Sequence, residues 1–267
     1  MTRLFPAVLG ILILVVAGCQ DASGPGQSVP LRLSGTAVIR APADLQFTER
    51  ERSYIAGHKI SAGVCVFDRR VHLKKGDKFT ERVVEFDPTT CAFILARGDH
   101  AASEVASARE STEIGLDGAT AIATGARLNL LLGSSSSYAW QRLYHEDPLQ
   151  IDVTSSRIDL DWSYDGACSY AIRSEHLREW LTNSGWIPLS HSHTMSPRLK
   201  CQTTSANAQA TASFQNSQFC NQQVAETWYD INKIEGMPDG TAWLSNRGYA
   251  SGACSDLLTY HYEYGLT

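Results

Sequence analysis

The sequence predicts a mostly β protein, an antiparallel sandwich-like domain or pair of domains with one or two short helices, stabilised by disulfides. Three observations carry this expectation. Apolar and polar residues alternate over short runs. Ile158, Leu160, Trp162 and Tyr164 interleave with Asp159, Asp161 and Ser163, and Leu258, Tyr260, Tyr262 and Tyr264 with Thr259, His261 and Glu263. That period of two belongs to strands with one buried face. Turn residues separate the runs, as in Asp165-Gly166 and Pro238-Asp239-Gly240. Helical signals are few, and 43% hydrophobic with 19% charged residues describes a folded chain rather than a disordered one.

The first 19 residues read as an export signal. Arg3 precedes the apolar run 4–17, whose 14 residues are short for a span of about 20 and suit a secretory h-region. Val16-Ala17-Gly18-Cys19 follows. This segment resembles the lipobox of bacterial lipoprotein precursors. The resemblance implies cleavage before Cys19, acylation of Cys19, and a membrane partner through the N-terminal lipid. Gln20, where Asp would retain a lipoprotein at the inner membrane, implies the outer membrane in a Gram-negative cell. Residues 19–30, rich in Gly, Pro and Ser after the cysteine, should form a flexible tether.

Removing Cys19 leaves Cys65, Cys91, Cys168, Cys201, Cys220 and Cys254. An even count in an exported chain reads as disulfides formed in an oxidising compartment, with 15 pairings open. Nearest-neighbour pairing would join Cys65 to Cys91, Cys168 to Cys201 and Cys220 to Cys254. No C-x-x-C spacing supports a redox or zinc-ribbon role.

The remaining chain divides by composition at Ser134–Ser137, giving a β-rich region 31–133 and a second, Trp- and Tyr-rich, at 138–267. All six Trp and nine of ten Tyr lie in the second. The first carries nearly balanced charge; the second holds 8 basic and 14 acidic residues. In chain order, Thr48 and Glu51 have capping-box spacing and Gly57 follows, predicting a short helix. Residues 64–73 and 79–86 flank Lys74-Lys75-Gly76-Asp77 as a hairpin, and 79–86 with 91–96 form another around Asp87-Pro88-Thr89-Thr90. Residues 101–113 have helix formers without an apolar stripe. Residues 158–164 and 167–172 form a hairpin. Ser174, the stripe Leu177, Trp180 and Leu181, and Gly185 predict the second helix.

Several groups are candidate sites. His191 and His193 would point to one face of a strand and could share a metal, with His176, Glu175 or His145 as a third ligand. Asp159, Asp161 and Asp165 suggest calcium, but Tyr164 stands where the loop needs glycine. Arg97-Gly98-Asp99 spells an integrin-read tripeptide. Arg69, Arg70, Lys74, Lys75 and Lys78 crowd one turn and could meet an anionic surface. Trp140, Trp162, Trp186, Trp228 and Trp243 could include a stacking platform for sugars, although such rings also fill small β cores. His145-Glu146-Asp147 concentrates titratable groups before Pro148.

No G-x-S-x-G, H-E-x-x-H, P-loop or G-x-G-x-x-G occurs, so no catalytic residue is assigned and no cofactor is expected. A net charge of -5 gives no electrostatic reason for a nucleic-acid partner. Glu146-Asp147-Pro148, residues 162–168, residues 214–220 and residues 252–258 resemble pieces of uncharacterised secreted bacterial proteins, which implies a recurring disulfide-stabilised domain. The expectation is a lipid-anchored cell-envelope protein, a binding or structural module whose partner is a carbohydrate or another envelope protein. The alternative is an envelope hydrolase assisted by metal at His191 and His193. A small inhibitor or shielding lipoprotein would share these features.

Overall fold

A computed structural model describes residues 48–61, 64–87, 89–99, 108–115, 135–196 and 205–267. Cys19, the signal segment, the tether and Cys201 lie outside them. The strands are β1 (Thr48–Ile55), β2 (His58–Ser61), β3 (Val64–Leu73), β4 (Lys78–Phe86), β5 (Phe93–Asp99), β6 (Ala108–Gly115) and β7 (Ser135–Glu146). They continue with β8 (Asp152–Tyr164), β9 (Ser169–Trp180), β10 (Trp186–Ser196), β11 (Ala206–Cys220), β12 (Gln223–Gly236), β13 (Ala242–Gly252) and β14 (Thr259–Leu266). Two sheets result, both antiparallel: an eight-stranded one ordered β1-β5-β4-β14-β7-β8-β9-β6 and a six-stranded one ordered β10-β11-β12-β13-β3-β2. The mostly β, disulfide-stabilised, sandwich-like expectation holds.

The alternating runs explain the layers. On β7, Ala139, Gln141, Leu143 and His145 face the other sheet; on β14, Tyr260, Tyr262, Tyr264 and Leu266 do so. The Gln141 amide donates to the backbone carbonyls of Lys233 (2.9 Å) and Ser245 (3.2 Å) across the interior. Tyr229 packs against Phe214 and Tyr260, and Phe67 against Phe93, so rings from both sheets share one core. Each such ring removes 150–250 Å² from water on burial. Gly248 lets this happen, since a Cβ there would come within 2.3 Å of the Tyr260 ring.

Three expectations are corrected. Residues 48–55 and 169–180 are strands, not helices, because both segments find ladder partners: β1 pairs with β5, and β9 lies between β8 and β6. Ladder hydrogen bonds on two sides override the local i, i+3, i+4 pattern. Among the described residues, only short 3-10 turns remain, Thr182–Ser184 and Ser255–Leu257; Gly185, with φ 88°, closes the first as a left-handed cap. Strands β3 and β4 do not pair as a hairpin. β3 belongs to the six-stranded sheet and β4 to the eight-stranded one, so residues 74–77 carry the chain from one sheet to the other. Ser135–Ser137 open β7, which pairs with β14 and β8.

Cys65–Cys91 ties β3 to the turn before β5, across the sheets, and Cys220–Cys254 ties the end of β11 to the 3-10 turn after β13. Sequence separations of 26 and 34 imply about 3–4 kcal/mol each in the chain-entropy model. Both are nearest-neighbour pairs. Cys168 is also disulfide-bonded.

Candidate functional site

The outer face of the six-stranded sheet carries partly exposed aromatic rings among polar groups. Along β13 the side chains of Trp243, Ser245, Arg247 and Tyr249 point outward, while Ala242, Leu244, Asn246 and Gly248 are buried. Trp228 on β12 stands opposite Tyr249. Their rings are nearly parallel, 10° between planes and 6.0 Å between centroids. The Trp228 indole N–H donates to Glu226 (3.1 Å), as does the Ser251 hydroxyl (3.5 Å), which fixes the ring by one edge.

Beside this pair, the bulge between Tyr229 and Ile231 places Asp230 as an extra residue in β12. Burial raises the Asp230 carboxyl above its ordinary range against the pull of Arg247, with Asp68 adding to the rise. Arg247 holds Asp68 with two nitrogens, at 2.7 and 3.4 Å. Burial and the neighbouring Asp230 and Glu226 raise the Tyr249 phenol. The arrangement gathers aromatic surface with hydrogen-bonding carboxylates and a guanidinium at its rim.

The sequence-selected tryptophans divide by surroundings. Trp162 and Trp186 are fully buried core residues. Trp140 lies on the opposite sheet under the Arg157 guanidinium, 4.9 Å from its centroid. Trp228 and Trp243 share the aromatic face, which also uses Tyr249, His72 and Asp230, residues that sequence reasoning missed. The period-two spacing of Trp243, Arg247 and Tyr249 was a usable signal; their cross-strand partners were not.

The structure does bring His176, His191 and His193 together at the sandwich edge. The His176 ring centroid lies 5.7 Å from that of His193 and 6.5 Å from that of His191. Three of their ring nitrogens meet hydroxyls of neighbouring strands: His176 Nε2 meets Ser156 Oγ at 3.0 Å, His193 Nε2 meets Ser174 Oγ at 2.8 Å, and His193 Nδ1 lies 3.5 Å from Thr112 Oγ1. Burial lowers the His176 pKa to about 3, helped by His193, Arg178 and His191, so its ring is neutral at pH 7. Among the described residues, no group of three or more His, Cys, Asp or Glu is arranged to hold a metal. Glu175 accepts from Ser111 and Arg173, and His145 lies in the interior, bonded to the Tyr229 hydroxyl at 3.0 Å.

The outer face of the eight-stranded sheet is different in kind. Arg142 on β7 contacts Asp152 (2.7 Å) and Glu263 (4.0 Å) from the flanking strands β8 and β14, and Glu179 (3.5 Å) from β9, one strand further on. Arg82 meets Glu146 at 2.9 Å, and His261 meets the same carboxylate at 3.2 Å. Burial raises the carboxyl pKa of Asp152 and of Glu263 against the pull of Arg142. Each of these carboxylates is engaged by a cation, as in a structural network. Of the His145-Glu146-Asp147 run, Glu146 joins it, His145 turns inward, and Asp147 accepts the Leu149 and Ile151 N–H groups in the turn.

The other motifs have local duties. Asp165 accepts from the Ala167 and Cys168 N–H groups, and Asp159 is bound by Arg157 and Tyr138, so these acids are spread along a hairpin rather than around an ion. Arg97 and Gly98 are part of strand β5, and Arg97 holds the buried Glu81 at 2.7 Å, which is not the flexible loop that integrin recognition needs. Of the basic cluster, Arg69 also binds Glu81 and Arg70 lies near Glu235 at 3.6 Å; Lys74, Lys75 and Lys78 remain exposed.

The disulfides are those of an oxidising, extracytoplasmic compartment. Among the described residues, no helix is long and apolar enough to cross a membrane. The chain matches no protein-family model, no curated protein and no solved structure.

Proposed function

We propose that this protein is a lipid-anchored binding module of the bacterial cell envelope that takes carbohydrate on the outer face of its six-stranded sheet. The parallel, partly exposed pair Trp228 and Tyr249, bordered by Glu226, Asp230 and Arg247, carries this reading. Sugar rings stack on aromatic faces while their hydroxyls bond the polar rim, and a site of that kind needs no reacting group. The V-A-G-C lipobox ending at Cys19 supports the anchor, and the disulfides suit the compartment.

A glycan array probed with wild type and Trp228→Ala tests the binding. Wild type should retain neutral saccharides, and the variant should lose them while unfolding at nearly the same urea concentration. Indifference of saccharide binding to Trp228→Ala would count against the reading. For the anchor, Cys19→Ser should move the protein from the membrane fraction to the soluble one.

A further inference from the structure

We infer that this protein self-associates through the outer edge of β10, which pairs antiparallel with β10 of a second copy about a two-fold axis at Ser192. The inference is independent of the carbohydrate reading, since β10 contributes none of the residues named for it. A strand at the end of a sheet presents a row of N–H and C=O groups without ladder partners, and folded proteins guard such edges with charge, brevity or cover. The two sheets end in four strands, β1 and β6 on one and β2 and β10 on the other. β1 carries Glu51 and Arg52, β6 carries Glu110, and β2 has only 4 residues, Lys59 among them. β10 differs from all three. It runs for 11 residues without a Lys, Arg, Asp or Glu, and among the described residues it pairs with β11 alone. Ile187, Leu189, Ser190, His191, Ser192 and Thr194 are exposed along it.

The side chains of β10 make it its own partner. Cross-strand pairs decide which strands join. With the axis at Ser192, the outer face sets Ser192 against its own copy and Ser190 against Thr194. The inner face sets His191 against His193 and Leu189 against Met195. Like meets like on both faces, and no formal charge opposes another of the same sign. Pro188, which brings no N–H to a ladder, falls opposite Ser196 at the end of the pairing. An axis at His193 would instead set His191 against Met195 and carry Leu189 past the end of β10.

β10 already pairs by hydroxyls on its other side. Ser190 meets Ser213 at 2.7 Å and Ser192 meets Thr211 at 2.8 Å, both on β11. His193 also fastens β10 to the opposite sheet, through Ser174 at 2.8 Å and Thr112 at 3.5 Å. An edge held in place before contact loses little freedom on pairing. A two-fold contact uses one patch on both subunits, so it closes at the dimer and leaves no β10 edge for further growth.

Sedimentation equilibrium of the full chain in density-matched detergent tests this, together with oxidative cross-linking. Wild type should form a dimer in reversible balance with monomer. Ser192→Lys sets two ammonium groups opposite each other and should weaken the dimer at least about tenfold. Ser192→Cys should cross-link to its own copy, because opposite Cα atoms in an antiparallel pair stand about 4.5–5.5 Å apart, within disulfide reach. Thr194→Cys, on the same exposed edge, should not, because its copy would lie roughly 13 Å away in this register. A monomer at every concentration overturns the inference and leaves the edge to a strand of another protein. A dimer indifferent to Ser192→Lys, or assembly beyond the dimer, overturns it as well. Equal cross-linking at the two positions overturns the two-fold register. Near-ultraviolet circular dichroism confirms that each variant is folded; if Ser192→Lys is not, the two cysteine variants decide.

Discussion

The two outward faces of this sandwich are built from similar side chains and expose them to water to very different degrees. On the eight-stranded sheet, Arg142 is only 18% exposed and is surrounded by Asp152, Glu179 and Glu263. On the six-stranded sheet, the Arg247–Asp68 pair is 38% and 39% exposed and shares its surface with Trp228, Tyr249 and Trp243. A guanidinium–carboxylate contact of 2.7 Å occurs in both places. What separates them is access to water. A shielded network holds its charges for one another, whereas open pairs beside parallel rings can exchange partners with a ligand.

The largest expected effect tests the shielded face. Arg142→Ala leaves buried carboxylates without their common cation and should cost about 3–5 kcal/mol in urea unfolding, as removal of one partner from a buried ion pair does. A loss below about 1 kcal/mol would show that water reaches this network and that the contrast between the faces is false.

Acid comes next, acting through the interior that both faces cover. Burial lowers His145 to about 3, assisted by His261, and burial with His193, Arg178 and His191 lowers His176 to about 3. Both are neutral in the fold but titrate near 6.5 when unfolded. Their contribution is therefore complete above pH 6.5 and declines as pH falls toward 3. At pH 5 each should have cost on the order of 2 kcal/mol relative to pH 7. Asp152 and Glu263 run the other way: with raised carboxyl pKa values they favour the fold below the ordinary carboxylate range and oppose it as pH rises through the folded values. Urea unfolding at pH 7 and pH 5 measures the balance, and an NMR titration of the folded protein isolates the histidines; protonation of the His145 or His176 ring above pH 5 in the fold would contradict their buried, neutral state.

The smallest effect tests the open face. Arg247→Ala should change stability by no more than about 1 kcal/mol, because exposed pairs contribute little. The same variant should weaken saccharide binding, since Arg247 lies two residues from Tyr249 on the same outward face of β13. A large destabilisation with unchanged binding would exchange the roles of the two faces.

Much of the fold was legible because period-two alternation is local. Residues 158–164 and 258–264 announced β8 and β14, and Asp165-Gly166 announced their neighbouring hairpin. Residues 169–180 were not legible. Ser174, Leu177 and Trp180 satisfy a helical spacing, and only ladders on both sides make the segment a strand. The basic turn at 74–77 looked like a hairpin tip because local sequence says that the chain turns, not which sheet it then joins. The candidate site divided similarly. Trp228 and Trp243 could be named from composition, but their difference from the core residues Trp162 and Trp186 could not.

By itself the sequence determined the β character, the six cysteines spread over residues 65–254, the short apolar first segment and the concentration of rings in residues 138–267, since each is a property of composition or short-range period. The tertiary structure decided which strands share a sheet, which arginines are shielded, that three histidines meet at one edge, and that Trp228 lies parallel to Tyr249. Those depend on register between segments distant in sequence. Register in turn is set by how two whole sheets bury their faces against each other.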